Sequence, residues 1–476
     1  KGRTTGGSES LKDSRRIQRK QTTSYEGCLI EVGVEPRGIS GAQRILPAET
    51  NGQDNGKAST YGLLERILSK ENLNAAYKQV KRNKGSHGID GMKVDELLPF
   101  LRENGDRLIE ELKAGTYRPK PVRRVEIPKP DGGVRLLGIP TVVDRMLQQA
   151  IAQILSPIFD SEFSDSSFGF RPGRSAHQAI KRAQGYMNEG YDWVVDIDLA
   201  KYFDTVNHDK LMALVARKVR DKRVLKLIRR YLKAGVMING VVINTEDGCP
   251  QGGPLSPLLS NIMLDVLDKE LEKRGHKFCR YADDCNIYVR SRKAAERTMR
   301  SVTEFLEGPL KLKVNRDKSA VDRPWKRKFL GFSFYRGRDG IRIRVHQKSI
   351  KRVKEKIRNI TSRSNGKSMD YRLLKLKQLI KGWVNFFSIA DMKSLAQTLD
   401  EWTRRRLRMC IWKQWKRVRT RFQNLMKLGL DRQKAWEFAN TRKSYWRTSH
   451  SPILLRTITN ERLKKRGYTG FVAELA

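Results

Sequence analysis

FCRYADDCNIYV, residues Phe278 to Val289, sets two adjacent carboxylates, Asp283 and Asp284, inside an apolar run. Its flanks read as two short strands, with Ala282 and Asp283 as the turn that joins them into a hairpin. Carboxylates buried without partners are costly, so the pair asks for more than a polar turn. A second acidic group lies upstream in WVVDIDL, Trp193 to Leu199, another strand-like run that carries Asp196 and Asp198 near its end. Strand alternation puts both on one side, and periodicity does not choose between them. Two such strand ends brought together repel unless divalent cations sit between them. Oxygen ligands suit Mg²⁺, with Mn²⁺ as an alternative ion, and a pair of ions about 4 Å apart serves nucleotidyl transfer.

The rest of the composition supports a polyanionic partner. Of 476 residues, 97 are Lys or Arg and 52 are Asp or Glu, a formal charge of +45. Such a chain repels itself without counter-charge, and nucleic acid is the first candidate. No apolar run reaches about 18 residues, so no membrane span is expected. The N-terminus lacks the order of a secretory signal, which leads to the expectation of a cytoplasmic protein in a bacterial cell. Cys28, Cys249, Cys279, Cys285 and Cys410 are scattered without a C-x-x-C pair, so reduced thiols and no structural zinc are expected.

Around the two acidic strands the elements mix without strict alternation, which predicts an α+β core. Residues 1–59 are rich in Gly, Ser, Thr, Arg and Gln and read as a basic leader with little structure of its own. Helical spacing begins at Leu63, and NKGSHGIDG, Asn83 to Gly91, reads as a loop whose glycines permit close backbone approach. VEIPKP and VRLLGIP around Asp131-Gly132-Gly133 predict a hairpin, a helix follows over Asp144 to Ile158, and another starts after Pro254 or Pro257. After Lys348 the chain turns helical, with Leu373, Leu376, Ile380, Trp383 and Phe387 forming one apolar stripe. Between Ile341 and Thr420 there are 23 Lys and Arg against 5 Asp and Glu. The tryptophans Trp383, Trp402, Trp412 and Trp415 in that span read as core. Arg404, Arg405, Arg406 and Arg408 read as phosphate contacts, since like charges crowded on one helix need a partner.

The tetrapeptide Tyr281-Ala282-Asp283-Asp284, taken with DIDLAKYFDTV, CPQGGPLSPLLSNIMLDVLD and FLGFSF in this order, resembles the reverse transcriptases encoded by group II introns, which also act as maturases. The resemblance covers about Leu63 to Lys416 and implies a right-hand polymerase. Residues 60–190 would hold the N-terminal extension and fingers, 191–340 the palm, 341–418 a helical thumb (the maturase X domain) and 419–476 a basic DNA-binding segment. No zinc-supported endonuclease is expected. The family's aromatic gate lies five residues after its metal-binding Asp, so Phe203 selects Asp198 and leaves Asp196 as a neighbour.

Further roles come with the resemblance. Asp198, Asp283 and Asp284 would hold two Mg²⁺ ions together with the Leu199 carbonyl. Phe203 would exclude a 2′-OH, so that dNTPs are the substrates. Lys129 and Arg135 would clamp the triphosphate, and Gln251 and Gly252 would line the nucleotide pocket. Lys318 would protonate the leaving pyrophosphate, Arg171 would lie in a loop touching template or nucleotide, and Phe329 to Phe334 would support the primer terminus. The implied partners are intron RNA in a ribonucleoprotein, an RNA template with a DNA primer, and target DNA. A splicing factor without polymerase activity, a related reverse transcriptase outside introns and an RNA-templated RNA polymerase are the competing readings; the intact acidic set opposes the first and Phe203 the last.

Overall fold

The computed structural model describes residues 62–128, 133–238, 241–243, 247–248 and 252–475. The leader expected over 1–59, Lys129, Gln251, Cys28 and Cys249 lie outside the described residues.

Among the described residues, three sheets order the chain. β1 (Val122–Pro128) and β2 (Val134–Ile139) form the expected hairpin, and β1 also pairs in parallel with β4 (Val236–Ile238), which turns back into β5 (Val241–Ile243). The central sheet runs β6 (Lys277–Tyr281), β7 (Asp284–Val289), β3 (Trp193–Ile197), β8 (Ala320–Asp322), all antiparallel. β9 (Phe332–Gly337) and β10 (Gly340–Val345) make a separate hairpin. Thumb helices begin at Gln347, so the boundary expected at residue 341 cuts this hairpin. Ile341, Ile343 and Val345 alternate inward there, as a one-sided strand does.

The central sheet is covered on both faces, which explains why its strands are apolar nearly throughout. Val195, Ile197, Phe278, Cys285 and Ile287 enter a core shared with the fingers and the palm helices. Val194, Cys279 and Tyr288 enter a second core, shared with the thumb. The helix Ser256–Lys273 starts as expected, with Pro257 in its first turn. Leu373, Leu376, Ile380, Trp383 and Phe387 are all buried along the helix Met369–Phe387.

Residues beyond Val418 do not form a unit apart. Leu425, Ala435, Leu454, Leu463 and Phe471 join the thumb's core, and Phe471 meets the Trp383 ring edge-on at 5.5 Å. The Asp400 carboxylate accepts from the backbone N–H groups of Phe471 and Val472 and from the Tyr468 hydroxyl. The expected division at 418/419 is therefore a change of composition within one core.

Candidate active site

Three aspartates meet at one end of the central sheet. Ile197 pairs with Cys285, so the next step of that register sets Asp198 opposite Asp284, the first residue of β7. Asp283 lies in the two-residue turn between β6 and β7, whose first residue, Ala282, has φ 56°. Alternation puts Asp196, Asp198 and Asp284 on the face shared with the thumb. Neighbouring strands hold facing Cβ atoms about 5 Å apart, close enough for strong repulsion.

That repulsion is visible in Asp284. Surrounding protein, then the charges of Asp283, Asp196 and Asp198, push its carboxyl up to about 7. The side chain nevertheless reaches solvent. Asp196 is raised by burial but grips Arg327, with Nη2 at 2.6 Å and Nε at 2.9 Å from Oδ2. Asp196 has its charge committed to Arg327, while among the described residues no cation forms an ion pair with Asp198.

The backbone around Asp198 is fixed by the LKVNRDKS loop. Ser319 Oγ accepts from Asp198 N–H, and Asn315 N–H donates to the Asp198 carbonyl at 2.8 Å. Leu199 bridges Val314 as an antiparallel pair, with Ala200 N–H bonding the Lys313 carbonyl. In that ladder geometry the Leu199 carbonyl points away from Val314, toward the β7 side, and no described group donates to it. Lys318 is exposed in the same loop, and its carbonyl accepts from Arg327.

A divalent cation suits this set. The donors are hard oxygens, and among the described residues the Leu199 carbonyl accepts no hydrogen bond. Among the described residues no three His, Cys, Asp or Glu side chains close into a ready metal cage. Open sites of this kind suit Mg²⁺, which keeps water and substrate phosphates among its ligands.

The described nucleotide-pocket candidates are Phe203, Gly252 and Arg135. Phe203 is half-buried on the short helix Tyr202–Thr205, held edge-on by Tyr202 at 5.2 Å. Gly252 has φ 131°, and a Cβ there would lie 2.5 Å from the Gly138 carbonyl of β2, so the loop after Gln251 presses against the fingers. Arg135 faces Ile127 across the β1–β2 hairpin. Phe329 and Phe332 bridge across a tight turn, with Leu330 at φ 50° and Gly331 at φ 88°.

The arginines expected to hold nucleic acid are used inside the fold. Arg171 is buried, paired with Asp160 at 2.7 Å and donating to the carbonyls of Asp160, Ser164 and Ser167. Arg408 is buried and donates to the Ile458 carbonyl and Asn460 Oδ1. Arg406 donates to Thr361, Arg405 lies over the Trp446 ring at 4.0 Å, and Arg404 meets Asp400 at 3.8 Å. The crowded charge on the helix Lys393–Gln414 finds partners within the fold in carbonyls, a hydroxyl, a ring and a carboxylate. The sequence reading also missed Arg280, which is fully buried against Asp268 beneath the catalytic turn.

Comparison with known proteins places this arrangement. Residues 127–334 match the model of the reverse transcriptases (RNA-dependent DNA polymerases), and residues 350–429 the maturase-specific domain of group II introns. Protein YkfC of Escherichia coli is 36% identical over 299 residues, which cover 54% of this chain and 78% of YkfC. The chain belongs to the group II intron reverse transcriptase and maturase family. The group II intron-encoded protein LtrA of Lactococcus lactis is 38% identical over 231 residues, covering 48% of this chain and 38% of LtrA. The putative COX1/OXI3 intron 2 protein of Saccharomyces cerevisiae is 36% identical over 203 residues, 42% of this chain and 23% of that one. A chain of a solved partial Cas6-RT-Cas1–Cas2 complex covers 52% of this chain and 43% of its own length, at 25% identity and a TM-score of 0.34. In this family, reverse transcriptase and maturase functions go together, and the polymerase uses dNTPs and a divalent metal.

Proposed function

We propose that this reverse transcriptase copies the intron RNA to which it is bound, extending a DNA primer in target DNA, with two Mg²⁺ ions held by Asp198, Asp283, Asp284 and the Leu199 carbonyl. The observation that carries the reading is the convergence of Asp198 and Asp284 on one sheet face with Asp283 in the adjoining turn, Asp284 being raised first by burial and then by its acidic neighbours. Bound there, the ions would activate the primer 3′-hydroxyl and stabilise the leaving oxygen.

The chain's own groups supply the rest. Phe203 presents its ring to the sugar and excludes a 2′-OH. Lys129 and Arg135 neutralise the triphosphate, and Gln251 and Gly252 line the nucleotide pocket. The exposed Lys318 ammonium gives a proton to the departing pyrophosphate. With Arg404, Arg405, Arg406 and Arg408 occupied internally, the nucleic-acid grip passes to exposed thumb cations such as Lys348, Lys351, Lys377 and Lys381. The ribonucleoprotein would work in the bacterial cytosol, splicing the intron and then reverse transcribing it at a DNA site.

Splicing and synthesis separate in a direct test. Asp198→Ala should abolish RNA-templated DNA synthesis and leave protein-stimulated splicing of the intron RNA intact. Loss of both together would assign Asp198 to the fold, and retention of synthesis would remove it from the metal site.

A further inference from the structure

The catalytic turn is held from beneath by a strap that lies outside the metal ligands. Phe168 N–H donates to the Arg280 carbonyl at 2.9 Å and Arg280 N–H to the Ser166 carbonyl at 2.8 Å, so Ser167 runs as a parallel bridge beside β6. The strap then passes directly under Ala282. A Cβ on Gly169 would lie 2.3 Å from Ala282 N and 2.9 Å from Tyr281 C, positions that real side chains do not tolerate. Only glycine lets the two backbones approach this closely.

Buried polar groups lock that approach. The Arg280 side chain is fully buried, and its fork has a partner in every direction. Nε donates to Asp268 at 2.7 Å, Nη1 to Asn261 Oδ1 at 3.0 Å and to the Ala282 carbonyl at 2.9 Å, and Nη2 to Ser167 Oγ at 2.7 Å. Asn261 Nδ2 donates to the Gly169 carbonyl at 2.9 Å, tying the strap to the same fork. Ala282, left-handed without being glycine, is the kind of residue that persists only where its surroundings over-determine it. Arg171 holds the strap's other end through the Ser164 and Ser167 carbonyls.

We infer that Gly169, with Asn261 and Arg280, forms a positioning device that sets where the Asp283 and Asp284 carboxylates stand relative to Asp198, and thereby the metal affinity of the site. The inference rests on the polymerase reading above. Gly169 has no side chain to ligate a metal, and it acts through the height of the turn. Ordinary contact begins at 3.4 Å, so a methyl group at Gly169 must push the turn back by about 1 Å. Misplacement of that size costs on the order of 100-fold in rate at a reacting centre.

The test compares the full chain with Gly169→Ala. Primer extension should show kcat lowered between about 10- and 100-fold with the dNTP KM and intron RNA affinity within about twofold of the parent. Mn²⁺ binding followed by electron paramagnetic resonance, without dNTP, should weaken about tenfold, a readout that a loss of general stability does not move while the protein stays folded. Folded Gly169→Ala with parental kcat and Mn²⁺ affinity overturns the inference, as does an RNA affinity that falls by the same factor as kcat. If Gly169→Ala gives no folded protein, Asn261→Ala decides on the same readouts, with the same two overturning results. A parent chain that extends no primer would sink the polymerase reading itself, whereas an active parent with an indifferent variant sinks only the positioning device.

Discussion

Arg408→Ala separates an internal brace from a phosphate contact. Arg408 is 5% exposed, and its guanidinium makes two charge-assisted hydrogen bonds, to the Ile458 carbonyl at 2.8 Å and to Asn460 Oδ1 at 3.0 Å. Hydrogen bonds from a charged donor contribute about 1.5–3 kcal/mol each, and truncation also leaves the Ile458 carbonyl short of its donor. A cost of about 3 kcal/mol is expected, and it should fall on the docking of residues 452–475 against the thumb. Hydrogen exchange by mass spectrometry should report this as faster exchange in the helices Pro452–Thr457 and Phe471–Leu475, with the central sheet unchanged. Anisotropy titrations of RNA over a salt series should keep the parental slope of log affinity against log salt, because no phosphate contact is lost. Unchanged protection together with a slope reduced by about one would refute the brace and restore Arg408 to the nucleic-acid surface.

Other expectations follow from the same geometry. Lys351→Ala and Lys377→Ala, at exposed thumb positions, should each reduce that salt slope by about one with thermal stability unchanged. Phe203→Ala should admit ribonucleotides, read as a fall of at least about tenfold in the dNTP over rNTP ratio of kcat/KM, a shift of about 1.4 kcal/mol; unchanged selectivity removes the gate. Because the Asp284 carboxyl is pushed up to about 7, protons compete with metal there as the pH falls. Half-saturating Mg²⁺ for synthesis should therefore rise up to about tenfold per pH unit below 7 and level off above it. A flat Mg²⁺ requirement from pH 6 to 8 would contradict that assignment. Asp196→Asn should keep synthesis within about tenfold of the parent, in contrast to Asp198→Asn, because Asp196 acts on Arg327 rather than on metal.

Where the sequence was readable, one local rule sufficed. The hairpin at Phe278 to Val289 shows its turn because apolar residues stop at Ala282 and resume at Cys285, and the stripe through Trp383 repeats at helical spacing. Asp198 was legible by family pattern, and the structure adds why Asp196 differs: Arg327, 131 residues away, takes its charge. Distant partners of this kind hid the rest. Arg280 looks like the solvent-facing member of an alternating strand until Asp268 and Asn261 arrive from the preceding helix. Arg404 to Arg408 look like a phosphate-binding run, yet Ile458 and Asn460 meet Arg408 from about 50 residues downstream. The short strands β4 and β5 carry too few residues to announce a period; β4 acquires its place by pairing with β1, and β5 by pairing with β4.

Polymerase activity, as proposed above, depends on metal held by Asp198, Asp283 and Asp284. Primer extension on an RNA template with dNTPs and Mg²⁺, comparing the parent with an Asp283→Ala, Asp284→Ala double variant of unchanged intron RNA affinity, tests this most directly. Full-length DNA from the parent and none from the variant is the predicted result. Extension by the variant at a rate near the parent's, or none by a parent that binds its intron RNA tightly, would contradict it.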